Sequence, residues 1–373
     1  MSFTPDPPKP AEEILFSHKT SNVIHPPIFF NGIEVKRVKE HKHLGLILDP
    51  KLSFVYHINE KIAKARKGIG LIKLLRTHLP LKSLDQIYKM HVRPHLDYCD
   101  SVYHIPVKTN EFDSRLTLNY QMDAIERTQY SAALAMTGAW QGTSCDKLYE
   151  ELGWESLDLR RMFRRLTQFY KIMNNLTPNY LREPIPPLKK HLFGRHPTNV
   201  LHPIVCRNDR YRNSFFPNSV NSWNDIGPEL RSATSLSIFK KNILKIIRPP
   251  KKDTYKIHNP TGIKWLFQLR VGLSPLNAHK KSHGFMDTPD EACNCTLAAE
   301  STRHFLLCCP LFQIHRLPLL DNLERLLLKY EMSDFCEDVK VLLLLYGNKM
   351  FTLAENQTLL LGTIEFIGKT DRF

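Results

Sequence analysis

Four of the chain's eight cysteines fall between Cys293 and Cys309, in the run CNCTLAAESTRHFLLCCP, with His304 among them. Thiolates and imidazoles are the ligands a tetrahedral zinc ion takes, and the set reads C-x-C-x8-H-x4-C if Cys309 closes it. The remaining cysteines, Cys99, Cys145, Cys206 and Cys336, are scattered and suggest no pairing. The spacing departs from the usual structural zinc pattern, in which two or more residues separate the first pair of thiols. A C-x-C pair can chelate only from a tight turn, and the neighbouring Cys308 leaves the fourth ligand open. The alternative is a group of reduced thiols with His304 and Cys308 on one helix face.

Other chemistry is poorly represented. Polymerase or nuclease catalysis by two metals needs carboxylates that converge on ions about 3.5–4 Å apart, and the acidic residues here are mostly isolated on helix surfaces. Asp97 and Asp100, in HLDYCDSVY, are most simply placed at a helix terminus or paired with Arg93. Asp338 and Lys340 superficially fit the D-x-K core of a divalent-metal nuclease, but an exposed acidic helix turn explains them better. The chain contains no G-x-S-x-G elbow, Walker loop or G-x-G-x-x-G fingerprint. No catalytic residue is assigned, and the chain by itself is not expected to be an enzyme.

Charge is informative. The chain carries 52 Lys+Arg against 37 Asp+Glu. From Asp287 onward the count is 8 against 13, so residues 1–286 carry 44 against 24, a net of +20. A basic surface of this extent points to a polyanion, most often nucleic acid. Two segments concentrate it: Lys61, Lys64, Lys67, Lys73 and Arg76 on one helical pattern, and Arg160, Arg161, Arg164 and Arg165 on another. Both read as basic faces of amphipathic helices whose apolar sides pack on the body. Tyr88, Tyr98, Tyr103 and Trp140 lie near basic stretches, as core or as stacking platforms. The opening residues lack a secretory pattern, and no run is long enough to span a bilayer. The expected setting is therefore intracellular, nucleus or cytoplasm, with reduced thiols and no membrane partner.

The elements that must position these residues follow from periodicity. EILFS, PIFF, IEVKRV and HLGLILD are short apolar stretches broken by Pro, Gly and Asn, the pattern of strands, with Asn31-Gly32 as a hairpin turn. Apolar residues at helical spacing predict helices over 57–76, 81–91, 117–138, 144–151 and 156–174, with a break at Pro94. Residues 178–234, rich in Pro, Asn and Ser, read as loop with short elements. A helix from Phe239 should stop at Pro249-Pro250, which opens the best linker candidate. Helical patterns resume from Gly262, through the Cys/His segment and over 312–330, 333–346 and 353–368.

Several stretches together resemble the C-terminal part of non-LTR (LINE-type, jockey-like) retrotransposon reverse transcriptases. HKHLGLILD (His41–Asp49) is similar to the primer-grip hairpin of these polymerases, and PDPPKPAEEILF to the segment after the catalytic strand, with Lys9 at the motif's lysine. KSLDQIYKMHVRPHLDYCD resembles the thumb, while IERTQYSAALAMTGAWQGTS and LYEELGWESLDLRR resemble the region beyond it. NSFFPNSVNSWNDIGPELRSATSLSIFK, with Trp223-Asn224 and Phe239-Lys240, is the most distinctive match. LRVGLSPLNAHKKSH with the Cys/His run, and the ending IEFIGKTDRF, complete a collinear order over the whole chain.

The resemblance implies a mainly α protein, α+β at its N-terminus. Residues 1–56 would be a palm remnant of β-hairpins, 57–175 the helical thumb and following helices, 176–260 a connection, and 261–373 an α-rich domain with a Cys/His zinc element. It implies zinc held by Cys293, Cys295, His304 and Cys309, with Cys308 outside the set. It implies RNA and primer–template contacts from Lys9, Gly45 and the basic residues named above. The family's Y/F-A-D-D strand would lie upstream of Met1, so its magnesium-dependent polymerase activity belongs to the intact parent. The alternatives are an inactive relic or interaction scaffold, and the tail nuclease. Apolar edges at Ile14–Phe16 and Leu44–Leu48 should make the isolated chain poorly soluble.

Overall fold

The computed structural model describes residues 11–17, 19, 25–103, 116–189, 199–247, 257–288, 290–332 and 335–373. Lys9 lies outside them. The chain is mainly helical with a few very small sheets, as its periodicity predicts. Six short strands come first: β1 (Glu12–Glu13), β2 (Phe29–Phe30), β3 (Ile33–Glu34), β4 (Lys36–Arg37), β5 (His41–His43) and β6 (Leu46–Leu48). Helices α1 (Val55–Leu75), α2 (Leu81–Ile87), α3 (Arg93–Asp97), α4 (Asp100–Tyr103), α5 (Leu116–Thr137), α6 (Cys145–Leu152) and α7 (Leu157–Met173) follow. The Pro/Asn-rich region holds α8 (Asp209–Arg212), α9 (Phe215–Asp225), α10 (Pro228–Arg231) and α11 (Leu236–Ile247). The last group is α12 (Pro260–Val271), α13 (Asn277–Ser282), α14 (Gln313–Lys329), α15 (Glu337–Tyr346) and α16 (Leu353–Lys369). No helix of the described residues is long and apolar enough to cross a membrane.

Two compact units emerge, each built from three separated stretches. The first comprises Met1–Arg66, Pro94–Arg127 and Arg161–Phe239, and the second Lys67–Arg93, Thr128–Arg160 and Lys240–Phe373.

In the first unit β2 pairs antiparallel with β3 across Asn31 and Gly32, both at positive φ, the geometry of a two-residue hairpin turn. β1 pairs in parallel with β4, and β5 with β6 antiparallel, His41 opposite Leu48. The side chains of this region remain open to solvent: Phe29, Phe30, Ile33 and Leu44 are all more than half exposed. The unit's core lies instead around Trp223, which meets Phe169 at 5.6 Å and Phe239 at 6.0 Å between ring centres, with Tyr170 stacked on Phe239 at 4.5 Å. Trp223 donates its indole N–H to Asn199 O (3.0 Å), while Asn224 both accepts from Leu201 N and donates to Leu201 O. The Trp-Asn pair therefore fills the core and ties down an extended strand of chain. The segment expected as loop with short elements holds the eleven-residue helix α9, which tolerates Pro217 in its first turn, where a missing N–H costs no intrahelical bond.

In the second unit Tyr88 stacks on Trp154 at 3.9 Å. Their polar atoms are satisfied by Gln129 (2.7 Å from Tyr88 Oη) and Asp85 (3.0 Å from Trp154 Nε1). A buried Arg270–Glu151 pair, with Arg270 also donating to Leu345 O, fixes α12. α12, α15 and α16 bury Leu266, Phe267, Leu344, Leu359 and Phe366. Pro94 does not break the second predicted helix. A π-turn over Tyr88–Val92, closed by Arg93 N–H on Tyr88 O, widens the ladder just before the proline, and α3 continues through it.

The entry to α1 depends on Asp49. Its buried carboxylate accepts from Lys51 N (3.0 Å), Ser53 N (2.9 Å), Ser53 Oγ (3.0 Å) and Phe54 N (2.9 Å). Those bonds hold Leu52 (φ 49°) and Phe54 (φ 58°) in the left-handed region, which costs on the order of 1–3 kcal/mol per residue. Burial pushes the carboxyl's pKa up, but the N–H and O–H donors prevail and hold it below 3.8. A carboxyl depressed in the folded state contributes stability that is full above pH 3.8 and is lost as pH falls through its folded pKa. Asp49→Ala should therefore lower unfolding free energy at neutral pH by about 2–3 kcal/mol, with the gap to wild type closing in acid, as read by urea denaturation across pH.

Candidate functional site

The Cys/His cluster is assembled by two short devices in the second unit. Cys293 N–H donates to Ala298 O (2.9 Å) and Cys293 O accepts from Thr296 N (2.8 Å). With Thr296 at φ 62°, these bonds fold CNCTLA into the tight turn that a C-x-C chelate requires. Ala292 and Ala299 close its base as an isolated bridge. The other two ligands come from a π-turn, His304–Cys308, capped by Cys309 N–H on His304 O at 2.7 Å. Ser301 Oγ accepts from His304 N and starts this turn.

The side chains of Cys293, Cys295, His304 and Cys309 converge. Their ligand atoms all lie within 4.8 Å of one another, and the cluster can hold a metal ion. Cys293 Sγ and Cys309 Sγ are 3.7 Å apart, and Cys295 Sγ lies 3.2 Å from His304 Nε2. Cys308 points to solvent and takes no part, so Cys309 closes the set. This is the only group of three or more His, Cys, Asp or Glu side chains placed to share an ion among the described residues. Asp338 and Lys340 sit on the first turns of α15, outside any such group.

Burial dominates the electrostatics of this cluster. It pushes the Cys293 thiol up to about 12 and raises Cys309, while the Leu297 N–H holds Cys295 below its ordinary value. Burial, reinforced by Arg316, keeps His304 neutral-leaning, with its pKa lowered. Arg316, itself buried, donates to Phe305 O (3.2 Å) and Cys309 O (2.7 Å), fixing the backbone that carries two ligands. Arg372 grips Glu300 with two 2.6 Å bonds and reaches Asn277 Oδ1 at 3.0 Å. Glu300 in turn accepts from Asn277 N. The chain's last residues thus clamp the knuckle onto α13. Sequence reading missed Arg316 and Arg372, whose partners lie 7 to 95 positions away.

The basic residues divide. On α1, Ile58, Ile62, Ala65, Ile69 and Ile72 are buried, while Lys64, Lys67, Lys73 and Arg76 are exposed. Lys64 pairs with Glu60. Lys61 turns inward: its ammonium lies 3.5 Å from Gly45 O and 4.4 Å from the Tyr98 ring centre. Tyr98 Oη donates to Leu44 O. Gly45, at φ 82°, has no room for a side chain, because a Cβ would come 2.7 Å from Tyr98 Oη. Lys61 and Tyr98 therefore hold the β5–β6 turn from beneath.

The arginines of α7 require a correction. Arg160, Arg161 and Arg165 are buried, at 3–4% exposure, and do not form a basic surface. Arg160 pairs with the buried Glu155 (2.9 Å) in the second unit. In the first unit Arg161 donates to Leu96 O (3.1 Å) and Arg165 to Asn218. Arg164, partly exposed, pairs with Asp100 at 2.9 Å and donates to Asp97 O at 3.1 Å. That also gives the two aspartates an electrostatic role. Tyr88 and Tyr103 are core residues, and Trp140 rests on Phe285.

No family model, curated protein or solved structure matches this chain.

Three outcomes are expected. Cys309→Ser should lower, by about a third or more, the thiolate charge-transfer absorption that cobalt(II) develops at a sulfur-rich site, while Cys308→Ser leaves it intact. The protein's metal affinity should also rise with pH by about tenfold per unit for each thiol proton displaced. Arg161→Ala and Arg165→Ala should each cost about 1–3 kcal/mol of stability by stranding buried acceptors, with no change in the salt dependence of any nucleic-acid binding.

Proposed function

We propose that the chain binds RNA and DNA as the post-catalytic part of a non-LTR retrotransposon reverse transcriptase, with zinc as a structural ion and no polymerase activity of its own. The observation that carries this reading is α1. Its apolar stripe is consumed by packing, while Lys64, Lys67 and Lys73, and Arg76 just after the helix, stay exposed. Exposed cations of this kind meet a sugar–phosphate backbone through charge and carry no sequence preference. Gly45, with its backbone raised on Tyr98 and Lys61, presents the hairpin turn that the family uses as its primer grip.

Zinc suits the cluster by donor type and by distance. Three sulfurs and one nitrogen favour a soft or borderline ion over magnesium, which takes oxygen ligands. Two Zn–S bonds of about 2.3 Å at a tetrahedral angle place their sulfurs about 3.8 Å apart, and the Cys293–Cys309 separation is 3.7 Å. The ion would pin the knuckle to the π-turn and would supply no chemistry beyond that.

Binding of a labelled single-stranded oligoribonucleotide as a function of salt tests the reading. Wild type should bind tightly at low salt and weaken linearly on a log–log plot. Reversing Lys64, Lys67 and Lys73 to Glu should flatten the slope by about 0.7 for each phosphate no longer neutralised. Wild-type affinity no better than that of a neutral protein at low salt would refute it.

A further inference from the structure

A second cationic feature lies within the second unit, where the end of α5, the residue after α1 and the first turn of α12 meet around a pocket of about 90 Å³. Arg76, Thr77, Thr137, Gly138, Thr261 and Lys264 line it, together with Met136 and Pro260, and no carboxylate does. The volume is about that of three waters, enough for one tetrahedral oxyanion.

Lys264 is seated there by the backbone. Gly138 ends α5 at φ 66°, and a Cβ at that position would come 2.9 Å from Lys264 Cδ and 3.1 Å from Cγ. The bare glycine is the surface on which the lysine stem lies. Burial, and next the nearby Arg76 charge, hold its pKa below the ordinary lysine value. Two like charges facing one concave space, with no acid between them, raise each other's energy until an anion enters. Asn259 already accepts from Gly262 N, which leaves the Thr261 N–H among the first-turn donors without an intrahelical acceptor. Thr261 itself lines the same pocket.

We propose that this pocket holds a phosphate group of a bound nucleic-acid strand, with Arg76 and Lys264 as its counter-charges and Thr261 as its hydrogen-bond donor. The proposal rests on the nucleic-acid reading above. It adds one fixed phosphate seat to a surface that otherwise offers only mobile lysines, and it gives Gly138 and Lys264 a shared purpose.

The test measures oligoribonucleotide binding against salt for wild type, Lys264→Gln, Lys264→Arg and Arg76→Gln, with thermal stability recorded for each. The expected result for Lys264→Gln is a five- to twenty-fold loss of affinity (about 1–1.8 kcal/mol) and a slope shallower by about 0.7. Lys264→Arg should restore the slope, and inorganic phosphate should compete with wild type at lower concentration than with Lys264→Gln. Unchanged affinity and slope in a folded Lys264→Gln protein would overturn the pocket while leaving the nucleic-acid reading intact. If wild type fails to bind the oligonucleotide, that reading falls and this proposal with it. Phosphate stabilising wild type but not Lys264→Gln would then assign the pocket to a free phosphate.

Discussion

The convergence of four ligand atoms is the constraint on which the C-terminal part of this protein depends. Between α13 and α14 the chain has no strand or α-helix among the described residues, only a bridge, a π-turn and a 3-10 turn. Backbone ladders cannot hold such a segment, and its apolar content is modest. Cys293, Cys309 and Phe305 are nonetheless withdrawn from water. What orders the segment is the facing of the C-x-C turn onto His304 and Cys309, surrounded by Phe305, Phe312, Phe366 and Phe373. Arg316 holds the backbone carbonyl of Cys309, and Arg372 holds the Glu300 carboxylate on the other side of the ligands. An ion at this point would convert a set of weak local turns into one rigid corner.

Positive charge has two separate uses in this molecule. On α1 it is left at the surface. On α7 it is spent internally: Arg160, Arg161 and Arg165 are buried and reach a carboxylate, a backbone carbonyl and an amide. Cationic side chains are thus left exposed on one helix and built into the core on another. The distinction matters for reading the net charge of residues 1–286, because part of it never reaches solvent.

What the sequence made legible was local. The apolar period of α1, the Asn31-Gly32 turn and the clustered cysteines each declare themselves within a dozen or two residues, and each appears in the structure. The fourth ligand did not, because Cys308 and Cys309 differ by one step along a π-turn that reverses which of them faces inward. The burial of the α7 arginines was hidden for another reason: Leu96, Asp100 and Asn218 lie 53 to 65 positions from them, and periodicity carries no information about such partners. Pro94, and the prolines of the 178–234 stretch such as Pro217, misled in the same way. Pro94 sits after a widened helical turn and Pro217 in a first turn, and both sites tolerate a missing N–H. The interleaving of two units from six stretches is likewise a long-range fact that no composition window contains.

X-ray absorption at the zinc edge, on protein expressed with zinc and purified without chelators, tests the central claim most directly. The account predicts one equivalent of metal in a shell of three sulfurs at about 2.3 Å and one nitrogen at about 2.0–2.1 Å. Protein that folds and stays folded with no metal, or whose bound ion has an oxygen-rich shell, would contradict it.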